Sequence, residues 1–229
     1  MASIENNLQL GAGIYTYPDI AHVLGIPYHR VQRWISQYWE GDLGKRFERQ
    51  YTWNVDGTKA VSFHTMIELF IFHQLNMAGV KPRDILLAHK ELSGLYDTAF
   101  PFATKDVLQG LRCDGKQVLM KRKDGTVLSL NGSRQFNMAF VLEFMHKLAF
   151  TDDLVSQYWP MGKGRSIVCD PKHQFGHAVV AGTNILPQVL ANMRRGGDSV
   201  NLIAFSYSLD PKQVKDAITF IDRFPKQAA

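Results

Sequence analysis

The sequence predicts an α+β protein in which helices predominate, and three observations point to this class. Apolar residues recur at helical spacing along most of the chain, two Asp-Gly turns lie between β-prone runs, and short extended pieces interrupt the last third. With 45% hydrophobic and 21% charged residues over 229 positions, the composition is that of an ordinary globular protein. We therefore expect a sizeable core.

The first two helices are predicted between residues 17 and 38. Helical spacing begins at Pro18, breaks at Gly25-Ile26-Pro27 and then resumes. Pro27 suits the first turn of the second helix, where a backbone N–H has no helical partner. We expect Gly41–Gly44 to end this helix.

Ala21, Gly25 and Val31 have the spacing of a helix-turn-helix. The helix crossing accepts only a small side chain, the turn requires a positive φ, and the second helix needs an apolar anchor. Trp34 and Ile35 would strengthen that anchor. The residues then left on the outer face are Tyr28, His29, Arg30, Gln32 and Arg33. Side chains of these types reach bases and phosphates of DNA from such a helix, whereas an ordinary αα-hairpin with a polar face is the alternative.

A β-hairpin is predicted directly after this unit. Residues 46–53 and 59–63 are β-prone and flank a turn that contains Asp56-Gly57. The hairpin would act as a wing that contacts DNA phosphates. The basic residues assigned to this wing are Lys45, Arg46, Arg49 and Lys59.

The middle of the chain is predicted to mix helices with a second hairpin. Apolar spacing favours helices over His64–Ala78, Arg83–Tyr96 and Ala139–Ala149, and residues 101–112 are ambiguous. A hairpin is expected over Gln117–Leu130, where Asp-Gly supplies the turn.

The last third begins after a segment of linker composition, Trp159–Gly164. The expected domains are therefore 1–100, a winged helix-turn-helix; 101–160, a hairpin plus a helix; and 161–229. The elements expected in the last domain are strands at Ser166–Cys169 and Ala178–Val180 and helices at Pro187–Arg194, Ser199–Ser206 and Pro211–Phe224.

The spacing of the helix-turn-helix recurs near the end of the chain at Ala204, Ser208 and Val214. A second DNA-binding unit would expose the residues Lys212, Gln213 and Lys215. On spacing alone, a small trihelical core without DNA-binding activity is an equally good interpretation.

Charge and metal-ligand patterns exclude several functions. The net charge of +5 mildly favours a polyanionic partner, but residues 1–100 hold nine basic and ten acidic residues, so the excess does not lie on the predicted DNA-binding domain. Cys113 and Cys169 are too far apart for a zinc-finger pair, and His173 and His177 lack further ligands nearby. We expect no cofactor, no metal and no enzymatic activity. Without an apolar run of about 18 residues or a basic leader, a cytoplasmic protein that does not cross a membrane is expected.

Residues of the N-terminal unit resemble the MerR-like winged helix. The match runs through Tyr15–Ala21, Val31–Trp34 and Ala78–Ile85. The resemblance implies a winged helix-turn-helix that binds double-stranded DNA. The sequence lacks the long coiled-coil helix and the metal-binding cysteines of MerR proteins, so no metal-sensing role is expected.

The C-terminal segment resembles the small antitoxin-associated domain of VapB-like proteins. The matching residues are Ile167–Pro171, Gly176, Val179–Ile185, Gly196–Val200 and Tyr207–Ile218. That pattern implies a strand pair followed by a homeodomain-like trihelical unit. The N-terminal segment is similar to the DNA-binding domain that some VapB-like antitoxins carry, although Asn184 stands where that family often has a basic residue.

Together these resemblances imply a type II antitoxin that binds a cognate toxin, a PIN-type ribonuclease, and represses its own promoter. A homodimer is expected, because one recognition helix reads few base pairs. Toxin contact is assigned to Phe220, Arg223 and Phe224, although an ordinary core with a solvated charge is the alternative. A stand-alone transcriptional regulator and an interaction protein that does not bind DNA remain the other interpretations.

Overall fold

The computed structural model describes residues 11–223 apart from 56, 115–116, 122–126 and 132–142. Over these residues the chain is an α+β protein with more helix than strand, which confirms the predicted fold class. None of its helices there is both long and apolar enough to cross a membrane.

The first two helices are α1 (Tyr17–Leu24) and α2 (Tyr28–Trp34). A capping box fixes the start of α1: the Thr16 hydroxyl accepts the Asp19 N–H, and the Asp19 carboxylate accepts the Thr16 N–H at 3.0 Å. The chain stays helical beyond α2 as a π-helical segment, Ile35–Gly44, and a short α3, Lys45–Phe47.

The end predicted for the second helix at Gly41–Gly44 is therefore wrong. Gly44 is helical, with φ −60° and ψ −48°. A Cβ atom at this position would lie 2.9 Å from the carbonyl oxygens of Trp39 and Arg49. Glycine is thus required here for close backbone packing inside a helix, and it does not terminate the helix.

A three-stranded antiparallel sheet forms the predicted wing. Its strands are β1 (Tyr15–Thr16), β2 (Thr52–Val55) and β3 (Thr58–Val61), in the order β1-β3-β2. The hairpin is confirmed, but its first strand begins at Thr52. Residues 45–47 are helical instead, and residues 48–51 form the connecting loop.

Two long helices follow, α4 (Phe63–Met77) and α5 (Pro82–Tyr96). The Ser62 hydroxyl caps α4 by accepting the Thr65 N–H at 3.2 Å. Helix α4 is buried on almost every side, because it packs against α5, residues 101–103 and residues 154–158.

The ambiguous residues 101–112 form a 3₁₀ turn (Pro101–Ala103), helix α6 (Lys105–Gln109) and the start of strand β4 (Leu111–Asp114). Strands β5 (Gln117–Lys121) and β6 (Val127–Asn131) extend this strand into a second antiparallel sheet. The second predicted hairpin is confirmed in its strands, whereas its turn at residues 123–126 lies outside the described residues.

A third antiparallel sheet crosses the expected domain boundary. It contains β7 (Leu148–Thr151), β8 (Leu154–Tyr158), β9 (Ile167–Cys169) and β10 (Ala178–Val180), in the order β10-β9-β8-β7. The supposed linker therefore joins two paired strands. The helix predicted over residues 139–149 does not reach its expected end, because residues 148 and 149 belong to β7, and residues 139–142 lie outside the described part.

The predicted C-terminal helices are confirmed as α7 (Pro187–Arg195), α8 (Val200–Tyr207) and α9 (Pro211–Arg223). They pack on one another as a small trihelical unit behind β9 and β10. The strand pair and the three helices thus occur in the order that the sequence predicts.

The N-terminal and C-terminal parts share one hydrophobic core, which runs from Tyr15 to Ile221. The rings of Phe70 and Tyr158 lie 4.9 Å apart, those of His22 and Phe220 lie 5.1 Å apart, and the Tyr15 hydroxyl donates to the Gly176 carbonyl. Burial of apolar side chains in such a core is the main favourable contribution to the free energy of folding. The chain segments expected to form separate domains therefore pack as continuous structure.

Candidate nucleic-acid interface

The turn between α1 and α2 is built around Gly25. This residue has φ 67° and ψ 34°, the left-handed conformation that glycine adopts without a Cβ penalty. The next N–H, that of Ile26, returns to the Ala21 carbonyl at 3.0 Å, and Ile26 itself is buried. Helix α2 then starts after Pro27, so three residues reverse the chain between two packed helices.

Buried residues fix the rotation of α2 about its axis. Val31 is fully buried. The Trp34 ring packs edge-on against Phe72 of α4 with ring centroids 5.0 Å apart, and it lies 5.8 Å from the ring of His73, also of α4. Aromatic contacts of this geometry add to the stabilisation from burial alone. The opposite face of α2 must therefore point into solvent.

Four of the five residues predicted on that outer face are exposed. They are Tyr28, His29, Gln32 and Arg33. Neither Gln32 nor Arg33 uses its side chain in a hydrogen bond or ion pair with another described residue, so both remain available to a ligand. Arg30 differs from them because it is half-buried and faces His73.

His73 places a neutral polar group beside α2. Burial, followed by the positive charge of Arg30, lowers the pKa of His73 to about 4. The imidazole is therefore uncharged at neutral pH. Arg30 then contributes its charge at the edge of α2 without a second cation beside it.

The helical extension adds a position that the sequence interpretation missed. Ser36 and Gln37 are exposed and continue the face of Gln32 and Arg33 by one further turn. The Ser36 hydroxyl is used within the helix, where it donates to the Gln32 carbonyl at 2.8 Å. Gln37 is thus the residue that this further turn adds to the exposed polar face, and an unbroken apolar spacing through Trp39 was the signal for it.

Three of the four cations predicted on the wing lie outside the hairpin. Lys45 and Arg46 are exposed at the end of the extended helix, and Arg49 lies half-buried in the loop before β2. The guanidinium groups of Arg46 and Arg49 lie 6.0 and 5.5 Å from the centre of the Phe47 ring. Cation–π contacts of this kind hold both charges beside the same ring.

Lys59 is on the hairpin, but it is engaged within the protein. Its ammonium group lies 2.8 Å from the Glu40 carboxylate, which also accepts a hydrogen bond from Thr52. This contact ties the wing to the π-helical segment. Lys59 therefore helps to orient the wing, and its contact with a DNA phosphate stays a prediction, because half of its side chain is exposed.

A second turn of the same geometry joins α8 to α9. Ser208 has φ 53° and ψ 44°, and the following N–H, that of Leu209, returns to the Ala204 carbonyl at 2.9 Å. Val214 is fully buried, as Val31 is in α2. The spacing that the sequence showed twice thus corresponds to two equivalent turns.

The first turn of α9 makes internal contacts that α2 does not. The Lys212 ammonium donates to the Gly164 backbone carbonyl at 3.2 Å, and the Gln213 side-chain Oε1 accepts the Asp210 N–H at 2.9 Å. Lys215 is exposed. Of the three side chains predicted as a second DNA contact, only that of Lys215 makes no hydrogen bond or ion pair with another described residue.

The residues predicted to bind a toxin differ in exposure. Phe220 is 2% exposed and packs against His22, so its assignment as a surface contact is corrected. Arg223 is exposed, and Phe224 lies outside the described residues. Packing between α9 and α1 therefore explains Phe220 without any partner.

Other reactive side chains do not assemble into a site. His173 and His177 are both exposed, and no group of three His, Cys, Asp or Glu residues in the described ranges is arranged to hold a metal ion. Cys169 is fully buried, and burial raises the pKa of its thiol well above the usual range. The thiol is thus a core group in the state described.

Comparisons with known proteins cover the chain unevenly. Residues 167–221 match the model of a family described as "Protein of unknown function (DUF433)". This segment is less than half of the chain and corresponds to β9, β10 and the trihelical unit. A search of the curated proteins found no match.

A likeness to a solved structure extends over almost the whole fold. The crystal structure of Rv2018 from Mycobacterium tuberculosis matches with a TM-score of 0.66 and 17% sequence identity, covering 94% of this chain and 99% of that chain. At this identity the likeness concerns the fold alone. The arrangement of the N-terminal unit, the sheets and the trihelical unit therefore recurs in another protein.

Proposed function

We propose that this chain is a transcriptional regulator that binds double-stranded DNA in a sequence-dependent manner through the outer face of α2. The observation that carries the proposal is that Gln32 and Arg33 lie in solvent on a helix whose rotation is fixed by the buried Trp34. Arg pairs with guanine and Gln with adenine in the major groove. The tight turn at Gly25 is the geometry that presents such a helix.

Cations near α2 supply the sequence-independent part of the proposed binding. Lys45 and Arg46 are exposed, and Arg46 is held beside Phe47. Exposed Lys and Arg residues neutralise phosphates and release counterions, so their contribution depends on salt. In this proposal they orient the protein on DNA, while Gln32 and Arg33 select the sequence.

The proposal is tested by DNA binding of the full chain. Fluorescence anisotropy would use a duplex from the region upstream of its own gene, with an unrelated duplex as competitor. Arg33→Ala and Gln32→Ala should each weaken specific binding by about 1–3 kcal/mol and reduce discrimination against the competitor. Arg83→Ala removes an exposed positive charge from α5 and should leave discrimination unchanged.

Two results would overturn the assignment. Equal weakening by Arg33→Ala and Arg83→Ala would mean that charge alone drives binding. Unchanged discrimination in both α2 variants would place the reading surface elsewhere. Arg46→Ala should weaken both duplexes alike and lower the salt dependence, which separates phosphate contact from base reading.

The finer proposal is an antitoxin of a type II system that neutralises a PIN-type ribonuclease and represses its own promoter. It is supported by the resemblance of residues 167–218 to the antitoxin-associated domain of VapB-like proteins. Co-expression with the adjacent gene would test it: growth should be arrested by that gene product alone and restored by this chain. The Arg33→Ala variant should still restore growth, because α2 is assigned to DNA and not to the toxin.

The same experiments distinguish the alternatives. Specific DNA binding without rescue of growth would favour a stand-alone regulator. Rescue without DNA binding would favour an interaction protein that neutralises its partner. Failure of both would remove the antitoxin proposal and the DNA proposal together.

A further inference from the structure

Helix α8 is apolar on the side that faces solvent. Phe205 is 86% exposed and Leu202 is 50% exposed, and their spacing of three residues places them on one helix face. Single exposed apolar residues are ordinary on protein surfaces, but a neighbouring pair that includes an almost fully exposed aromatic ring is not.

This outward face is not needed by the trihelical core. The opposite side of α8 already supplies Ile203 and Ala204, which are buried at 0% and 4% exposure. Leu202 and Phe205 therefore form an exposed apolar pair beside the exposed polar residues Asn201 and Ser206, and the trihelical core does not cover this pair.

The ends of α8 are fixed, so this face is a rigid surface. The Ser199 hydroxyl accepts the Leu202 N–H at 3.2 Å, and the left-handed Ser208 closes the helix through the Leu209 N–H. A preformed apolar surface loses little conformational entropy on binding. The geometry is therefore suited to docking.

The charges around α8 indicate which partner fits. Residues 199–209 include no charged side chain. Two bases and one acid precede this stretch, but one of the bases, Arg195, is paired with Asp222 at 3.1 Å; one acid and one base follow it. Arg194 and Asp198 lie before it, with an Arg194 guanidinium nitrogen 3.3 Å from the Asp198 carbonyl. Asp210 and Lys212 follow it.

This layout is complementary to itself when two copies of α8 cross antiparallel. The first end of one helix then meets the second end of the other, so that Arg194 of one copy faces Asp210 of the other and Asp198 faces Lys212. In a twofold contact each pair occurs twice. Leu202 of one copy would likewise meet Phe205 of the other.

We propose that the outer face of α8, formed by Leu202 and Phe205, docks against the same face of a second copy of this chain. The inference deepens the proposed function and rests on it in one respect: a twofold dimer presents two α2 helices to two half-sites of DNA. The association itself needs no DNA, so it can be measured independently.

The test is the mass of the full chain in solution over a concentration series, measured by sedimentation or light scattering. The unsubstituted protein should form a dimer. Phe205→Glu should raise the dimer dissociation constant by at least about tenfold, since it buries a charge at a contact centre. Leu87→Glu, at a leucine of α5 that is 54% exposed, is the matched control and should leave the mass unchanged.

Charge exchange distinguishes a second copy from any other partner. Arg194→Asp and Asp210→Arg should each weaken the dimer, and the chain that carries both substitutions should recover it, because the pair is restored across the axis. Leu202→Glu gives a second apolar test, and unchanged unfolding temperatures would show that the variants fold.

Several outcomes would overturn the proposal. These are a monomer at every concentration, a dimer that Phe205→Glu and Leu202→Glu leave intact, and a charge-exchanged chain that stays monomeric. The DNA experiment is separate from all of them. Dimerisation without sequence-dependent DNA binding would retain this inference and remove the proposed function, whereas DNA binding by a monomer would do the reverse.

Discussion

The turns at Gly25 and Ser208 have the same backbone geometry but present very different helices. In each turn a left-handed residue is followed by an N–H that returns to an alanine carbonyl, at 3.0 Å from Ile26 and at 2.9 Å from Leu209. The helix after Gly25 leaves its polar face in solvent. The helix after Ser208 connects its first turns to neighbouring segments, through Lys212 to Gly164 among others.

The comparison teaches that a helix-turn-helix geometry does not by itself define a reading surface. What differs is the electrostatic environment of the second helix. In α9 a buried carboxylate, Asp216, accepts hydrogen bonds from the Arg165 guanidinium at 2.8 Å and from the N–H and hydroxyl of Ser166. Helix α9 is therefore anchored to the strand β9 region by buried hydrogen bonds, whereas among the described residues α2 is held by the apolar packing of Val31 and Trp34.

The largest expected effect is the loss of folding stability when the Asp216 carboxylate, which anchors α9, is removed. Asp216→Ala removes the acceptor of three hydrogen bonds, two of them to groups of Ser166, and should lower the free energy of unfolding by about 2–3 kcal/mol. Urea unfolding measures this change. Asp222→Ala breaks the exposed pair with Arg195 and is the control, for which the loss should be below about 1 kcal/mol. Equal losses would mean that Asp216 does not anchor α9.

The next effect separates the two helices by DNA affinity. Arg33→Ala should weaken specific binding roughly 5- to 150-fold, the equivalent of about 1–3 kcal/mol, whereas Lys215→Ala should weaken it less than about twofold. The reason is that Arg33 lies on the proposed reading face, while Lys212 and Gln213 of α9 make internal contacts. Titration of both variants with the same duplex measures the difference. A similar loss for Lys215→Ala would establish α9 as a second DNA-binding helix.

The elements that local sequence determines were predicted well. Helical spacing and glycine or proline at the ends located α1, α4, α5 and the three C-terminal helices, and Asp-Gly located both hairpins. The outer face of α2 followed from the same periodicity, because burial of Val31 and Trp34 dictates which residues remain outside. Such features need only contacts between near neighbours in the chain.

The features that depend on distant contacts were not predicted. The pairing of β8 with β9 across a supposed linker, the burial of Phe220 against His22 and the pairing of Lys59 with Glu40 all join separate segments. Composition cannot indicate these partners, since a Gly-rich segment serves equally as a linker or as a connection between paired strands. The apolar pattern of α4 likewise did not indicate that Glu68 is buried, with its carboxylate 2.6 Å from Nε2 of His89 in α5.

Substitutions at the two left-handed turn residues, Gly25 and Ser208, should change the folding stability in opposite directions. Gly25→Ala puts a Cβ atom into a left-handed backbone and should lower the free energy of unfolding by about 1–2 kcal/mol. Ser208→Gly relieves the same strain, but the gain is partly offset by the larger entropy of glycine in the unfolded chain, so a stabilisation below about 1 kcal/mol is expected. Denaturant midpoints of the two variants measure both. Destabilisation by Ser208→Gly would show that its side chain, and not its backbone, supports the turn.

The smallest expected effect is a difference in the pH dependence of stability between His73, which lies beside α2, and Asp216, which anchors α9. Burial and Arg30 lower the pKa of His73 to about 4, so the unfolded chain binds a proton at this site near pH 6.5 while the folded chain does not. Stability should therefore fall as the pH drops from about 6.5 towards 4, and His73→Phe should reduce that fall.

Asp216 should respond only at more acidic pH. Burial alone would raise the pKa of its carboxyl, but the hydrogen bonds from Arg165 and Ser166 outweigh burial and lower this pKa below its usual range. The stability that the Asp216 carboxylate contributes is therefore lost only when the pH falls further. Unfolding temperatures at pH 7 and pH 5 measure the distinction: Asp216→Ala should lower both values about equally, whereas His73→Phe should narrow the gap between them. A gap that His73→Phe leaves unchanged would assign the acid sensitivity to another group, with buried His64, whose pKa burial also lowers, as the first to examine.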